Sequence, residues 1–210
     1  MGVWGKLVYP VMKSLRVRRI KQLTTIYPDL AEMSVLDVGG RPIIWDLLSK
    51  EMGIKPKKLI ILNTEEETEN FDNYERVIGD GTKLLYSDKS FDLVFSNSVI
   101  EHVGSEESQI AFAKESLRVG KNIYIQTPNR WFPVETHIIT LFIHWLPWKW
   151  FGKLSFISLR FIFLISDIQR FDNIISGIRL LNRQQLQTFF PERKILVERF
   201  CGIAKSFIVI

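Results

Sequence analysis

One cysteine, Cys201, stands among the 210 residues, so neither an intrachain disulfide nor a cysteine-cluster zinc site can be built from this chain. That fits a reducing, cytoplasmic setting. Histidine is almost as scarce, with three copies (His102, His137 and His144), which leaves few imidazoles for proton transfer. Long apolar runs are missing too: the longest uncharged one, Ile138 to Trp148, falls well short of the roughly 20 residues a bilayer span needs. Met1 to Tyr9 has no extended apolar core followed by a small-residue cleavage site, so no signal peptide is expected. A GxGxxG turn is also absent, which argues against a nicotinamide-dependent dehydrogenase.

What is present is an ordinary globular mixture, 46% hydrophobic and 24% charged, in a length that suits a single domain over residues 1–210. The net charge of +5 is unevenly spread. Residues 1–30 hold six Lys/Arg against one acid, residues 31–137 twelve against eighteen, and residues 138–210 ten against four. Basic ends around an acidic middle suit a phosphorylated or nucleic-acid substrate or an anionic membrane; they also suit solvated helix faces.

The stretch Val35-Leu36-Asp37-Val38-Gly39-Gly40-Arg41-Pro42 organises the rest. Its apolar run reads as a buried parallel strand, and its glycine pair as a turn where backbone approaches a ligand or simply enters a helix. Before it, residues 1–30 form an N-terminal helical segment, with a helix from about Val11 to Tyr27 after a break at Pro10. After it, Ile43 to Met52 presents an apolar helical face that stops at Gly53. Further strands are expected at Lys58–Leu62, Arg76–Ile78, Phe91–Phe95 and Asn122–Gln126, with a loop and short helix over Glu65–Glu75. A helix from Glu106 to Val119 stops at Gly120. The aromatic-rich segment 131–179 reads as an inserted lid of two or three helices. Asn182 caps a helix over Arg183–Phe190. Strands Lys194–Phe200 and Ala204–Ile210, parted only by Cys201-Gly202-Ile203, form an antiparallel hairpin. The expected fold is α/β: a Rossmann-like three-layer sandwich on a mostly parallel seven-stranded sheet, with a C-terminal antiparallel hairpin and a helical lid.

Val35–Gly40, Gly79-Asp80-Gly81, Phe91–Phe95 with its Ser96–His102 continuation, and the terminal hairpin together resemble the class I S-adenosylmethionine-dependent methyltransferases, above all the type 11 small-molecule group. The resemblance implies S-adenosyl-L-methionine as cofactor. It implies that Asp37 organises the methionine end beside Gly39 and Gly40. Asn63 stands where the family usually has an acid for the ribose. Asp80 would accept from the adenine amine beside Gly81 and Thr82, and Ser96 and Asn97 would border the cofactor. Asp80 and Asn63 can also be read as turn caps. Arg41-Pro42, where relatives continue with glycine, is a further departure.

Methyl transfer needs a general base only when the acceptor must lose a proton. His137, with Glu135 two residues before it, is the candidate. The Glu101-His102 segment resembles a metal site in some relatives, but Ser98 stands where a carboxylate would be needed, so no metal is expected. His144 reads as a lid-packing residue. The lid aromatics, with Lys149, Lys153, Arg160 and Arg170, would select the acceptor, make a peripheral membrane contact, or form the lid's own core. The leading expectation is O-methylation of a small-molecule, glycan or lipid-linked acceptor. An Asn/Asp-Pro-Pro-aromatic motif is absent after Phe95, which argues against amino-directed nucleic-acid enzymes. An RNA methyltransferase and a non-catalytic partner subunit are the alternatives.

Overall fold

The computed structural model describes residues 3–64, 74–135, 140–142, 145 and 177–210. Helix α1 (Val3–Ile26) leads into strand β1 (Ser34–Val38), helix α2 (Ile43–Met52), and strands β2 (Lys58–Asn63), β3 (Glu75–Ile78) and β4 (Phe91–Asn97). Helix α3 (Glu106–Val119) and strand β5 (Gly120–Pro128) follow, then two short strands, β6 (Val134–Glu135) and β7 (Thr140–Leu141), that pair only with each other. Helix α4 (Arg183–Phe189) and strands β8 (Ile195–Phe200) and β9 (Ile203–Val209) close the described chain.

The seven long strands form one sheet in the order β3-β2-β1-β4-β5-β9-β8. β1 to β5 are parallel, and β9 runs antiparallel to both β5 and β8. Central strands lose water on both faces, which is why Leu59 to Leu62 and Val35 to Val38 are continuous buried runs without polar alternation. Side chains still alternate. Leu36, Ile60, Val94 and Ile123 pack with Phe112 of α3 and Leu186 of α4, whereas Val35, Ile61, Phe95 and Tyr124 pack with Leu23 of α1 and Trp45 of α2. The result is three layers, with α1 and α2 on one face of the sheet and α3 and α4 on the other.

Local chemistry accounts for the boundaries. Gly53 ends α2 in the left-handed region at φ 68°, a conformation that suits glycine. Asn182 and Gln185 form a reciprocal capping box at the start of α4. Other expectations need correction. α1 runs on through Pro10: the missing N–H removes one hydrogen bond, and the helix tolerates that loss. Gly120 does not merely stop α3, because β5 begins at that residue. A Cβ there would lie 2.6 Å from the Asn122 carbonyl oxygen, so only glycine makes so abrupt a change of direction. The hairpin loop is two residues, Cys201 and Gly202, both at positive φ, as a tight hairpin requires. Within the segment read as a helical lid, the described residues 131–135 and 140–142 are turn and short strand. Apart from Trp145 and residues 177–179, the rest of that segment, with His137, His144, Lys149, Lys153, Arg160 and Arg170, lies outside the described residues, as does most of the Glu65–Glu75 loop.

Helix α1 is tied to the opposite end of the sequence. Arg19 donates from Nε and Nη2 to both Glu198 oxygens at 3.1 and 2.8 Å, and from Nη1 to the Asn97 side chain. Burial raises the Glu198 carboxyl, but the Arg19 charge outweighs it and the net shift is downward. Arg19→Ala is expected to lower stability by about 2 kcal/mol, less than a fully buried pair because the rim of this one is wet. Urea denaturation would check it, and a change below about 0.5 kcal/mol would mean that the pair is not coupled to folding.

Candidate active site

The strand order reverses between β1 and β4: β2 and β3 extend the sheet to one side of β1, and β4 and β5 extend it to the other. Loops leaving the C-terminal ends of these strands diverge and leave a crevice, the usual ligand position in an open α/β sheet. A cavity of about 480 Å³ lies there, within the size range of small-molecule sites. Val38 and Gly39 line it from the end of β1, Asn63 from β2, and Gly79 to Thr82 from the turn after β3. Ser98, Val99 and His102 line it from the exit of β4.

Two close approaches shape the walls. Gly39 turns at φ 71°, and a Cβ on it would lie 2.6 Å from the Val99 side chain. A Cβ on Gly81 would lie 2.7 Å from Val38 and 3.0 Å from Phe112. Both glycines therefore let backbone enter space that a side chain would close. Val99 is held in place by an unusual residue before it. Ser98 sits at φ 57° and is anchored through its N–H to the Gln126 carbonyl and its hydroxyl to the Gln126 side chain, each at 2.9 Å. The buried Gln109 amide of α3 donates to the carbonyls of Ile100 and Arg179, fixing the next turn.

Polar groups on the cavity are spaced along its wall. Asp80 accepts from the N–H and hydroxyl of Thr82 at 2.8 and 2.7 Å, both through Oδ1. Among the described residues, Oδ2 accepts no hydrogen bond and is available to a ligand donor. Asn63 accepts from the Thr64 N–H at 2.9 Å and approaches the Gly40 carbonyl at 3.4 Å. The turn-cap and ligand-binding readings of both residues are compatible, because each cap uses only part of the side chain's capacity.

Of the residues expected from sequence, Gly39, Asn63, Asp80, Gly81 and Thr82 meet on this cavity. Asp37, Gly40, Ser96 and Asn97 are not on its wall. Asp37 is fully buried beneath the turn, where its Oδ2 accepts from the Trp45 indole N–H at 2.7 Å; Oδ1 has no hydrogen bond. Burial pushes its carboxyl up to about 7, against a smaller lowering by the indole bond. The Ser96 hydroxyl donates to the Val38 carbonyl at 2.9 Å, and Asn97 meets Arg19 on the α1 face. The side chain of Glu135, like His137, lies outside the described residues.

Residues that sequence reasoning did not assign to the cofactor include Ser98, His102, Ser108 and Phe112. For Ser98 and His102 the signal was the continuation of β4 into Ser98–His102, which places successive loop residues over the same crevice; Ser108 and Phe112 come from α3.

S-Adenosylmethionine has one feature for each of these groups: an amino-acid end for the backbone at the Gly39 turn, a ribose diol for Asn63, and an adenine amine for Asp80. The donor set and the glycine-shaped walls fit that molecule.

Comparison with known proteins agrees. The methyltransferase domain family model matches residues 47–122, from within α2 to the start of β5. That match begins after the Gly39–Pro42 turn and includes Asn63. No curated protein matches the sequence. A crystal structure of a Pyrococcus horikoshii protein is 16% identical with a TM-score of 0.60, covering 93% of this chain and 88% of its own. An Archaeoglobus fulgidus SAM-dependent methyltransferase is 18% identical with a TM-score of 0.53, covering 89% and 74%. A Mesorhizobium loti S-adenosylmethionine-dependent methyltransferase is 13% identical with a TM-score of 0.54, covering 90% and 94%. No described helix is long and apolar enough to cross a membrane. The chain has the fold of the S-adenosylmethionine-dependent methyltransferases, with a methyltransferase-domain match over residues 47–122 within it.

Proposed function

We propose that the protein methylates an oxygen of a small-molecule, glycan or lipid-linked acceptor. The observation that carries the reading is the crevice at the strand-order reversal, where Gly39, Asn63 and Asp80 converge on one cavity. A bound S-adenosylmethionine would supply an electrophilic methyl group to the acceptor oxygen. Asp80 would hold the adenine amine, Asn63 the ribose, and the backbone of the Gly39 turn the amino-acid end. Positioning of this kind supplies much of the acceleration of an in-line displacement. An acceptor hydroxyl must also lose its proton, and His137 with Glu135 is our candidate for accepting it and orienting the imidazole.

An exposed aromatic group beyond β5 supports a ring-bearing or acyl-bearing acceptor. Trp131, Phe142 and Trp145 are exposed, with Phe142 and Trp145 centroids 5.0 Å apart, and the Trp145 indole is fixed by donation to the Arg130 carbonyl at 3.0 Å. Such faces stack on rings or bury acyl chains.

Isothermal titration with S-adenosylmethionine and S-adenosylhomocysteine tests the cofactor site. Saturable binding of both is expected, and its absence in a folded sample would favour the partner-subunit reading. Asp80→Ala should weaken S-adenosylhomocysteine binding roughly tenfold, the loss of one hydrogen bond to a charged acceptor, with an unchanged circular dichroism spectrum. Unaltered affinity would remove Asp80 from the site. Methyl-label transfer to hydroxylated acceptors, abolished in His137→Ala, tests the oxygen-directed chemistry.

A further inference from the structure

A second cavity, of about 210 Å³, opens between α1 and the β8–β9 hairpin and shares no lining residue with the cofactor crevice. Its charged lining is Arg18, Glu198, Arg199 and Lys205. Glu198, the one acid in that lining, is already engaged: both its oxygens accept from Arg19, and the Ser206 hydroxyl donates to one of them. Both its oxygens are taken up by Arg19, which leaves Arg18, Arg199 and Lys205 as three cleft cations that make no hydrogen bond or ion pair with a carboxylate among the described residues.

A break in the strand pairing brings them together. Glu198 pairs with Ser206 and Arg199 with Ala204, so the register slips by one and Lys205 is the extra residue on β9. Consecutive strand residues ordinarily face opposite sides, yet Glu198 and Arg199 both line the cleft. The bulge does this, and it re-aims Lys205 at the same time. The distorted backbone is held from the other side, where Asn129 donates its N–H to the Lys205 carbonyl at 2.9 Å and its amide to the Ala204 carbonyl at 2.8 Å. The Lys205 side chain is half-buried and makes no hydrogen bond or ion pair among the described residues. Burial, and then the Arg19 charge, hold its ammonium below the ordinary lysine range against a smaller opposing pull from Glu198. Arg199 spends one N–H on the Gly202 carbonyl at 2.9 Å and keeps its other donors. Lys205 is half-buried and Arg18 and Arg199 are exposed at the mouth of the cleft; cations gathered this way repel one another, and an oxyanion relieves that repulsion while accepting the unused N–H groups.

We infer that the bulged cleft between α1 and the β8–β9 hairpin is a binding site for a phosphate group, built from Arg18, Arg199 and Lys205. The phosphate is carried by a small soluble molecule or by a lipid headgroup; both present the same oxyanion.

Titration of the intact protein with inorganic phosphate and pyrophosphate, at fixed ionic strength to hold screening constant, tests the site. Cosedimentation with phosphatidylcholine vesicles containing phosphatidic acid forms the second arm. Saturable binding is expected in at least one arm, weakened tenfold or more by Lys205→Gln and by Arg199→Gln, retained in Lys205→Arg, and unchanged by Lys114→Gln on the opposite face. Binding in the soluble arm identifies a free phosphate ligand, and binding in the vesicle arm alone identifies a headgroup. Should a cleft variant fail to fold, Arg18→Gln, at an exposed position, replaces it. No saturable binding in either arm, or binding that the cleft variants leave intact, overturns the inference. S-adenosylhomocysteine affinity measured on the same variants should not change, which separates this site from the cofactor crevice.

Discussion

Replacing Gly40 by alanine is expected to lower stability by about 4 kcal/mol, near the upper end of what one added methyl group does to a packed interior. Gly40 needs no unusual backbone angle; what it lacks is space. A Cβ there would lie 1.8 to 2.2 Å from the carboxylate atoms of Asp37. That carboxylate is short, fully buried and held by the Trp45 indole, so it has nowhere to swing. Gly53 is the opposite case: it sits at φ 68° with nothing within 4 Å of where a Cβ would stand, so alanine there costs only the backbone strain, about 1 kcal/mol. Urea denaturation of both variants separates contact from conformation. Asp37→Ala in the Gly40→Ala background should recover much of the loss, a coupling that a double-mutant cycle reads directly. Equal costs at Gly40 and Gly53 would show that Asp37 does not press on the turn.

Asp37→Asn should stabilise the protein at alkaline pH, although it removes a charge from the strand that organises the fold. The folded carboxyl titrates at about 7, above its ordinary 3.8, because burial disfavours the charged form. Folded protein therefore keeps a proton that the unfolded chain has released. Its contribution to stability is full below about pH 4, declines as pH rises toward 7, and is gone above that. At about 1.4 kcal/mol per pH unit the whole effect is at most about 4 kcal/mol, and about 2–3 kcal/mol is the expected gain of the amide variant at pH 8. Urea midpoints measured across this range should fall with rising pH in the wild type and stay flatter in Asp37→Asn. Parallel profiles would mean that Asp37 is ionised in the folded protein. The amide still has an oxygen to accept from Trp45, so the test changes charge and leaves that contact in place.

Asp37 also illustrates where sequence reading stops. Strand β1 was legible because Val-Leu-Asp-Val precedes a glycine pair, and both caps of α2 and α4 were legible because Gly53 and Asn182 are local chemistry. The side that Asp37 faces was not legible. A strand buried on both faces carries no polar alternation from which to take the parity. The structure places Leu36 and Val38 toward α3, so Asp37 joins Val35 toward Trp45. The same parity sends Asn97 to Arg19 while Ser98, one residue later, reaches the cavity. Asp80 and Thr82 were expected at the crevice through the resemblance of Gly79-Asp80-Gly81 to the methyltransferases, and local turn hydrogen bonds hold them there. Phe112 was not assigned because it reaches the crevice through the packing of α3 on the sheet, a contact between elements far apart in sequence, whereas His102 follows directly from the exit of β4. The Lys205 bulge was invisible for a related reason: it depends on how two strands are paired, and either strand alone reads as regular.

The Arg19–Glu198 tie spans 179 positions, and it constrains the order of events when the protein is made. Helix α1 emerges early, yet its partners Asn97 and Glu198 follow much later, the second only with the closing hairpin. Until then its basic residues and its sheet-facing Ile20 and Leu23 have no complete surface to dock on. Contacts this distant form slowly, because a long loop must close before they contribute anything. Translation therefore exposes a cationic, half-apolar helix until the β8–β9 hairpin has been made, which makes α1 a segment for a chaperone to shelter and one by which a stalled nascent chain would aggregate.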